Sequence, residues 1–499
     1  MRNRSKVLPV AVLAALTALG TASAARRPVP EHLKRAVIYQ IVLRSFTRDG
    51  NFKAATEMLD HVRSIGVDVI YLAPFVEADR DMDRSGWSPR QKKFGGGSPK
   101  NPYRISNYDK IDPEYCGDED FKAFNDKAHA LGMKVYMDIV YMHCGPNNVM
   151  KDMFPDAFQR NPDGSVRVTS FKFPYVNFES KAVRKYLIGS MLRWISLGCD
   201  GFRCDMADHV PLDFWEEAAA ACRAVKPDLG MINEGSNPES LRQAFDACYA
   251  IQWSFLVRDE LVKSPFNRVE RFDAVGKDLH WRMDYVRAYE SQIPEGGLTM
   301  CFLDNHDTAQ DDCDSRFDRS LPVEAGNAGF VITFLRYGLP LVFCGNEIAD
   351  TAMNCTLMPV EHPLRANKTV DWGRALQPAG QKRLSLLRRL AKLRHEMAVF
   401  SEGTQEWVTE GESKGTVAFV RRLGNVAVFV AANLTDKAVE FNVGNVRPTG
   451  DAKTLLSENG ALDSAGVCRL GPYGHVVILG ETSRPPSRRR PRFPPPSRR

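Results

Sequence analysis

Short, almost continuously apolar runs alternate with amphipathic stretches from about residue 36 to residue 395. Strands buried on both faces produce such runs, and helices that bury one face produce the stretches between them. An open, doubly wound sheet is the alternative, but eight strand–helix units favour an α/β fold of the (β/α)8 TIM-barrel type over residues 31–400. The eight runs are Val37–Leu43, Val67–Ala73, Met133–Ile139, Cys199–Cys204, Leu229–Asn233, Ala247–Trp253, Leu298–Leu303 and Leu339–Cys344.

Two of the connections between these runs are long. Residues 74–117 follow the second run and are rich in Gly, Pro, Asp and Arg. Residues 143–178 follow the third run and contain a Pro-Asp-Gly turn. Long ordered loops usually carry function, and in a barrel they lie at the face where active sites are built. We therefore expect residues 143–178 to form a short inserted domain.

The pattern changes after about residue 401. Short segments with strand-like alternation are separated by turn signals, among them Gly424-Asn425. Such segments predict a C-terminal all-β sandwich domain over residues 401–481.

The N-terminus has the pattern of a leader. Three basic residues within the first six precede the apolar run Val7–Gly20 and the small-residue sequence Ala22-Ser23-Ala24. This arrangement predicts a signal peptide over residues 1–24, and with it export to the periplasm or the medium. An uncleaved anchor is the alternative, although the run is shorter than the about 20 residues that span a bilayer. We expect no stable membrane insertion.

The C-terminal tail changes the interpretation of the net charge. Residues 482–499 contain seven arginines, many prolines and no acidic residue, which predicts disorder. The whole chain carries a formal charge of +6, less than the tail alone supplies, so the rest of the chain is mildly acidic. A mildly acidic body argues against nucleic acid as the main ligand.

Polar and charged side chains follow four of the apolar runs. Because the carboxyl ends of barrel strands meet at one mouth, these side chains should lie close together. A single carboxylate would more often be a structural polar group, but four strands that deliver such groups to one face predict an active site. In chain order they are Asp138 and His143, Asp205, Glu234, and Asp304–Asp307.

Two facing carboxylates suit glycoside hydrolysis, in which one acts as an ionised nucleophile and the other as an acid and then a base. Arg203 precedes Asp205 by two residues, so on a strand both side chains point the same way and the cation keeps Asp205 ionised. Glu234 follows an apolar strand and has no cation beside it in the sequence, so its pKa can rise. The residues therefore predict Asp205 as nucleophile and Glu234 as acid.

Several segments, in this order along the chain, resemble the signature regions of the alpha-amylase family, glycoside hydrolase family 13. The resemblance extends over about residues 36 to 480 and implies the barrel with a short domain B and a C-terminal β domain. The segments are Tyr39-Gln40, Arg44–Phe46, Tyr103, Asp138–His143, Gly201–Asp205 with Val210, Glu234, Phe302–Asp307, Gly338–Pro340 and Gly345–Glu347.

The resemblance implies a role for each matched residue. Asp205 is the nucleophile, Glu234 the general acid/base, and Asp307 a catalytic residue that binds hydroxyls of the reacting sugar and favours its distortion. The implied mechanism retains anomeric configuration, with the two reacting carboxyls about 5–5.5 Å apart. The substrate-binding residues implied are Tyr103, His143, Arg203, His209 and His306.

Three positions depart from the family pattern. Met142 replaces an Asn that is a calcium ligand in many members, and thioether sulfur is a poor ligand for calcium, so we expect no metal site and no cofactor. Asp208 stands where Lys is common, which points to a different leaving-group preference. Arg104 follows Tyr103 where Asp is frequent.

These observations predict an exported, retaining glycosidase of the α-amylase or α-glucosidase type that acts on α-glucans or maltooligosaccharides. A transglycosylase or isomerase of the same family is one alternative, since both share the chemistry up to the glycosyl–enzyme. A catalytically inactive carbohydrate-binding or partner protein of the same fold is another.

Overall fold

The structure is a computed structural model that describes residues 26–262, 278–309, 316–352, 356–359 and 369–482. The predicted signal peptide and all but the first residue of the predicted tail lie outside the described residues.

Sixteen strands are assigned within these ranges, and most of them coincide with apolar or alternating runs of the sequence. They are β1 (Ile38–Ile41), β2 (Val69–Leu72), β3 (Val76–Ala78), β4 (Ile105–Ile111), β5 (Lys134–Ile139), β6 (Gly201–Cys204), β7 (Gly230–Asn233), β8 (Ala247–Tyr249), β9 (Leu298–Cys301), β10 (Leu339–Phe343), β11 (Thr404–Val408), β12 (Thr416–Leu423), β13 (Val426–Asn433), β14 (Val439–Asn442), β15 (Thr449–Leu462) and β16 (Val467–Glu481).

The α-helices of the described ranges fill most of the connections between these strands. They are α1 (Glu31–Lys34), α2 (Leu43–Phe46), α3 (Phe52–Glu57), α4 (Leu59–Ser64), α5 (Pro89–Phe94), α6 (Asp118–Ala130), α7 (Met150–Met153), α8 (Lys181–Ser196), α9 (Leu212–Val225), α10 (Ile251–Val262), α11 (Leu279–Glu290), α12 (Val323–Leu335), α13 (Pro378–Glu396) and α14 (Val399–Glu402).

Eight parallel strands close into a barrel in the order β1-β10-β9-β8-β7-β6-β5-β2. Strand β1 pairs with both β2 and β10, and Ile38 lies opposite Val69 on one side and Leu341 on the other. The closed (β/α)8 barrel is therefore confirmed over the open sheet. All eight strands are buried apart from the first residue of β5, which explains their continuous apolar runs.

The sixth predicted run is wrong at its C-terminal end. Only its first three residues form β8, and helix α10 begins at Ile251. Nine of the twelve residues of α10 are buried, so the helix lacks an amphipathic pattern. An apolar run of this length cannot be divided between strand and helix by periodicity alone.

The long connection after β2 builds one wall of the barrel mouth. Strands β3 and β4 pair in antiparallel fashion, and α5 lies between them in the sequence. Trp194 of α8 donates its indole N–H to the carbonyl oxygen of Tyr108 at 3.0 Å, which anchors β4 against the barrel. The segment 143–178 contains α7 and isolated β-bridges such as His143 with Tyr175.

The predicted C-terminal all-β domain is confirmed as an antiparallel sheet. Strands β11 to β16 form one hydrogen-bonded network in the order β11-β12-β13-β16-β14, with β15 on β16. One face buries a separate cluster that includes Phe429 and Phe441. The other face, with Phe419 and Val430, joins the core of the barrel.

Within the described ranges, no helix has the length and apolar character that crossing a bilayer requires.

Candidate active site

The predicted carboxylates meet at the carboxyl ends of neighbouring barrel strands. Asp138 lies on β5 directly opposite Arg203 on β6. Asp205 follows β6 and donates its backbone N–H to the carbonyl oxygen of Ile139 at 2.9 Å. Glu234 follows β7 and donates in the same way to Cys204 at 3.0 Å. The barrel ladder therefore fixes the backbone on which these side chains stand.

Arg203 is the centre of the cluster, and it is fully buried. Its Nη1 contacts both carboxylate oxygens of Asp138 at 2.7 Å and Oδ1 of Asp205 at 3.1 Å. Its Nη2 forms an ion pair with Oε1 of Glu234 at 2.6 Å. Its Nε donates to the hydroxyl of Tyr249 at 3.1 Å. One guanidinium thus holds three carboxylates.

This geometry corrects the expectation that Glu234 has no cation beside it. The guanidinium branches, and it contacts Glu234 on the next strand as well as Asp205 on its own. The number of residues between two positions on one strand shows only whether their side chains point to the same face of the sheet. The neighbour across the ladder depends on the register of β6 and β7, which the sequence does not display.

The same cluster raises the pKa of its carboxyls. Burial raises the pKa of Asp205, and repulsion from Glu234 adds to the effect, although Arg203 opposes it. Burial also raises the pKa of Glu234 against the opposing effect of Arg203. The sequence predicted that Arg203 keeps the pKa of Asp205 low, but burial and the charge of Glu234 outweigh the effect of Arg203. Coupled carboxyls of this kind hold a shared proton more firmly than isolated ones.

Asp138 is the innermost of the three acids. It accepts hydrogen bonds from the hydroxyls of Tyr71 at 2.7 Å and Tyr103 at 3.3 Å. Burial raises its pKa to about 6 in spite of these bonds and of Arg203.

Tyr103 and His306 form one unit at the side of the cluster. Their rings are stacked at 9° with centroids 5.6 Å apart, and the Tyr103 hydroxyl lies 2.5 Å from Nε2 of His306. Nδ1 of His306 lies 2.7 Å from the side-chain nitrogen of Gln40, which fixes the ring. The structure thus places both predicted sugar-binding residues beside Asp138.

His143 lies next to the backbone of Tyr103 and is buried. Its Nε2 lies 3.1 Å from the carbonyl oxygen of Tyr103, and its ring stacks on Phe173 at 5.1 Å. Its Nδ1 has no hydrogen-bond partner among the described residues. Burial lowers the pKa of His143 to about 4, so the ring is neutral near pH 7.

Asp307 lies at the rim of the site, and its side chain is 28% exposed. Its Oδ2 lies 3.6 Å from Nε2 of His306. Arg90 of α5 reaches across the mouth and pairs with its Oδ1 at 3.3 Å. The loop after β2 and the segment after β9 therefore meet over the site.

The structure places His209 apart from the other predicted residues. It is exposed on the short 3-10 turn Ala207–His209, and it lines a cavity of about 330 Å³ with Trp215 and Phe245. Among the described residues, its side chain takes no part in the hydrogen-bond network of Arg203.

The family can be assigned once this geometry is known. The alpha-amylase family profile, described as "Alpha amylase, catalytic domain", matches residues 35–165 and 146–414, which is well over half of the chain. The chain belongs to the alpha-amylase family. It is accordingly a glycosidase, and the predicted family membership is confirmed.

Individual relatives of this alpha-amylase family chain are distant. A cyclomaltodextrinase of Geobacillus thermopakistaniensis is 24% identical over 467 residues, 87% of this chain and 71% of the relative. An intracellular maltogenic amylase of Bacillus subtilis (strain 168) is 24% identical over 417 residues, 80% of this chain. The chain spans 62% of that relative's length.

A solved structure of similar fold is the maltogenic alpha-amylase AmyB from Thermotoga neapolitana. It superposes with a TM-score of 0.72 at 23% identity, and the match covers 90% of this chain and 99% of AmyB. At this level of identity the likeness shows the fold.

The calcium that many alpha-amylase family members bind does not fit the residues present here. Position 142 offers a thioether that packs against the hydrophobic core, where a hard oxygen donor is needed. The Met142 carbonyl oxygen already accepts the N–H of Val176 at 3.2 Å. In the part of the chain that the structure describes, no group of three or more His, Cys, Asp or Glu side chains is arranged to hold a metal.

Five residues of this alpha-amylase site were given no role in the site from the sequence. Two of them, Tyr71 and Tyr249, are hydroxyl-bearing residues within apolar strands, and that signal could have identified them. The other three are Gln40, Arg90 and Met206, and their contacts depend on strand register or on the path of a loop. The backbone N–H of Met206 donates to Oε2 of Glu234 at 2.8 Å.

Proposed function

We propose that this protein is a retaining glycoside hydrolase that cleaves α-glucosidic bonds in starch-derived oligosaccharides. The observation that carries the proposal is the pairing of Asp205 and Glu234 on the single guanidinium of Arg203 at the barrel mouth. Oδ1 of Asp205 lies 3.1 Å from Nη1 of that guanidinium, and Oε1 of Glu234 lies 2.6 Å from its Nη2. A retaining enzyme needs its two carboxyls about 5–5.5 Å apart, and contact with one guanidinium is compatible with that spacing.

The mechanism takes two balanced steps. In the first, a carboxylate oxygen of Asp205 attacks the anomeric carbon, the bond to the glycosidic oxygen breaks, and Glu234 gives its proton to that oxygen. In the second, the Glu234 carboxylate removes a proton from water, the water oxygen attacks the anomeric carbon, and Asp205 is released. Two inversions retain the anomeric configuration.

The assignment of roles within the pair rests on the family motif. Both acids contact Arg203 and both have a raised pKa, so electrostatics alone does not separate them. Asp205 ends the segment Gly201–Asp205, which resembles the nucleophile region of the family, and Glu234 follows the next strand.

The remaining residues bind the reacting sugar in this proposal. Asp307 at the rim binds hydroxyl groups, and the neutral ring of His143 and the Gln40-fixed ring of His306 supply further hydrogen bonds. Tyr103 supplies an aromatic face. The buried guanidinium of Arg203 holds both reacting acids, and fixed charges act more strongly in a buried site than in water.

The substrate class draws on the relatives. A cyclomaltodextrinase and a maltogenic amylase both have names that specify starch-derived sugars. For this chain we propose only the broad substrate class, α-glucan or maltooligosaccharide, because the chain spans only part of each relative.

Product analysis on a maltooligosaccharide series tests the proposal. The full chain should release shorter sugars, proton NMR should show the α-anomer first, and Asp205→Asn should lose at least about a thousandfold in kcat. Asp213→Asn is the matched control, since that carboxylate is exposed and pairs with Arg184. Longer products would indicate transfer to a sugar. Unchanged sugars from folded protein would contradict the hydrolase assignment and favour a binding protein.

We also propose that the protein is exported, on the strength of the leader pattern at residues 1–24. The maltogenic amylase of Bacillus subtilis, in contrast, is named as an intracellular protein. Expression in a secreting bacterial host distinguishes the two. Protein outside the cytoplasm that begins near Ala25 supports export, and full-length protein confined to the cytoplasm contradicts it.

A further inference from the structure

The loops that carry the two reacting acids are tied together by one side chain outside the reacting cluster. Asp208 lies three residues after Asp205, and its carboxylate contacts the segment that follows Glu234. Its Oδ2 accepts the backbone N–H groups of Ser236 at 2.8 Å and Asn237 at 3.2 Å. Both donors belong to the turn immediately beyond the acid.

The other oxygen of Asp208 contacts the residue just before Glu234. Its Oδ1 accepts from the side-chain amide of Asn233 at 2.8 Å. That amide also donates to the hydroxyl of Ser240 at 2.9 Å, and Asn233 is buried. The carboxylate thus holds the chain on both sides of the acid, and charge-assisted hydrogen bonds of this kind are stronger than neutral ones.

Gly235 lets the carboxylate come this close. A Cβ placed on Gly235 would lie 2.3 Å from Cγ of Asp208 and 2.4 Å from each of its oxygens. Any side chain at this position would therefore displace Asp208 from the turn.

A strained residue completes the connection. Met206 has φ +45° and ψ +37°, a left-handed conformation that costs a non-glycine residue energy. In this conformation its N–H donates to Oε2 of Glu234 at 2.8 Å. The turn between Asp205 and Asp208 thus contacts the acid directly through Met206 and indirectly through Asp208.

We propose that Asp208 is a positioning residue that fixes Glu234 for proton transfer to the leaving group. Asp208 is an exposed residue, yet each of its oxygens accepts a hydrogen bond from Asn233 or from the turn after Glu234. This inference rests on the proposed function of Glu234 as general acid. It differs from a direct sugar contact, for which loss of Asp208 would not depend on whether the leaving oxygen needs a proton.

Leaving-group dependence tests the inference. Maltotriose needs a proton on its leaving oxygen, whereas the nitrophenolate of 4-nitrophenyl α-maltoside departs without one. We expect Asp208→Ala to lower kcat/KM for maltotriose at least about tenfold, a fraction of what general acid catalysis contributes. The value for the nitrophenyl substrate should stay within about twofold, because kcat/KM reports only the first step.

Two further variants keep the test decisive. Asp208→Asn retains the one acceptor oxygen that Ser236 and Asn237 need but loses the acceptor for Asn233, so it should recover part of the maltotriose activity. Gly235→Ala should reproduce the defect with Asp208 intact. If Asp208→Ala does not fold, Gly235→Ala decides the question. Asp213→Ala, an exposed carboxylate on α9, is the control for loss of surface charge.

The experiment separates this inference from the proposed function. Glu234→Ala must show the same leaving-group signature, and its absence in that variant would overturn the general-acid assignment itself. If Glu234→Ala shows the signature and Asp208→Ala slows both substrates equally or neither, Asp208 has no positioning role.

Discussion

At the scale of single residues, the positions of the clustered carboxylates were predictable and their partners were not. Asp138, Asp205 and Glu234 lie at the ends of apolar runs, and closure of the barrel brings such ends together. The contact between Arg203 and Glu234 depends on the register of two strands. Arg90 reaches Asp307 from a loop whose path no local pattern reveals.

His143 carries a prediction on the pH dependence of stability. Burial lowers its pKa from 6.5 to about 4 in the folded protein. The unfolded chain therefore takes up a proton on this ring near pH 6.5, whereas the folded protein resists it until about pH 4. Stability from this group is present above pH 6.5 and is lost as the pH falls toward 4, by about 3 kcal/mol in total.

We expect His143→Gln to remove this dependence. Urea unfolding of both proteins between pH 7 and pH 4 should show the difference in their free energies of unfolding shrinking by about 3 kcal/mol as the pH falls. His209→Gln, on an exposed turn, is the matched control for loss of a histidine. A constant difference between wild type and His143→Gln would contradict the prediction.

At the scale of elements, the strands that are buried on both faces were the ones that the sequence pattern predicted. The barrel strands are buried on both faces and form apolar runs, whereas β3 and β4 lie in a loop rich in Gly, Pro and Asp and were not predicted. Segment 143–178 contains bridges without regular strands. Its local sequence indicates turns, and the path between those turns depends on contacts with the barrel.

The glycine that begins β7 is needed for close strand packing. A Cβ on Gly230 would lie 1.7 Å from the hydroxyl oxygen of Tyr136 on β5, which is fixed by a 2.6 Å contact with His32. We expect Gly230→Ala to lower the free energy of unfolding by about 3 kcal/mol or more, as overpacking does in a rigid core. Thermal and urea unfolding measure the change.

Gly189 on α8 is the matched control for this substitution. A Cβ there meets nothing within 4 Å, so Gly189→Ala should raise stability by about 0.5–1 kcal/mol through helix propensity. Equal effects at the two glycines would show that the contact with Tyr136 does not restrict β7.

The turn after β5 carries a prediction about calcium. Met142 supplies no hard donor, and its carbonyl oxygen is already bonded to Val176. We expect dialysis against EDTA to change neither kcat nor the melting temperature, and Met142→Asn to leave both insensitive to EDTA in the same buffer. Activity that is lost with EDTA and restored by calcium would show a site that these residues do not predict.

At the scale of the whole molecule, the C-terminal sheet is built into the barrel. Phe419 and Val430 share the barrel core, and Arg421 donates to the carbonyl oxygen of Leu335 on α12 at 3.2 Å. The alternating pattern predicted the strands of this sheet. It did not predict that one face packs on the barrel, because alternation shows which residues are buried and not what covers them.

Glu412 tests whether the barrel and the sheet unfold together. It lies in the turn before β12, is buried, and contacts Nη1 of Arg287 at 2.5 Å and Nδ1 of His280 at 2.6 Å, both on α11. Among the described residues, the ion pair that then remains to the buried Arg287 is the one with Asp284. Loss of one partner of a buried pair costs about 3–5 kcal/mol.

Calorimetry of Glu412→Ala should therefore show one transition at a lower temperature, with loss of enzymatic activity at the same temperature. Glu440→Ala is the control, since its pair with Arg469 is exposed and such pairs contribute less than about 1 kcal/mol. Two transitions, with activity lost only in the second, would show that the sheet unfolds independently. A single lowered transition means that the barrel depends on the sheet, so the site at the barrel mouth is stabilised by the contacts between the barrel and the sheet.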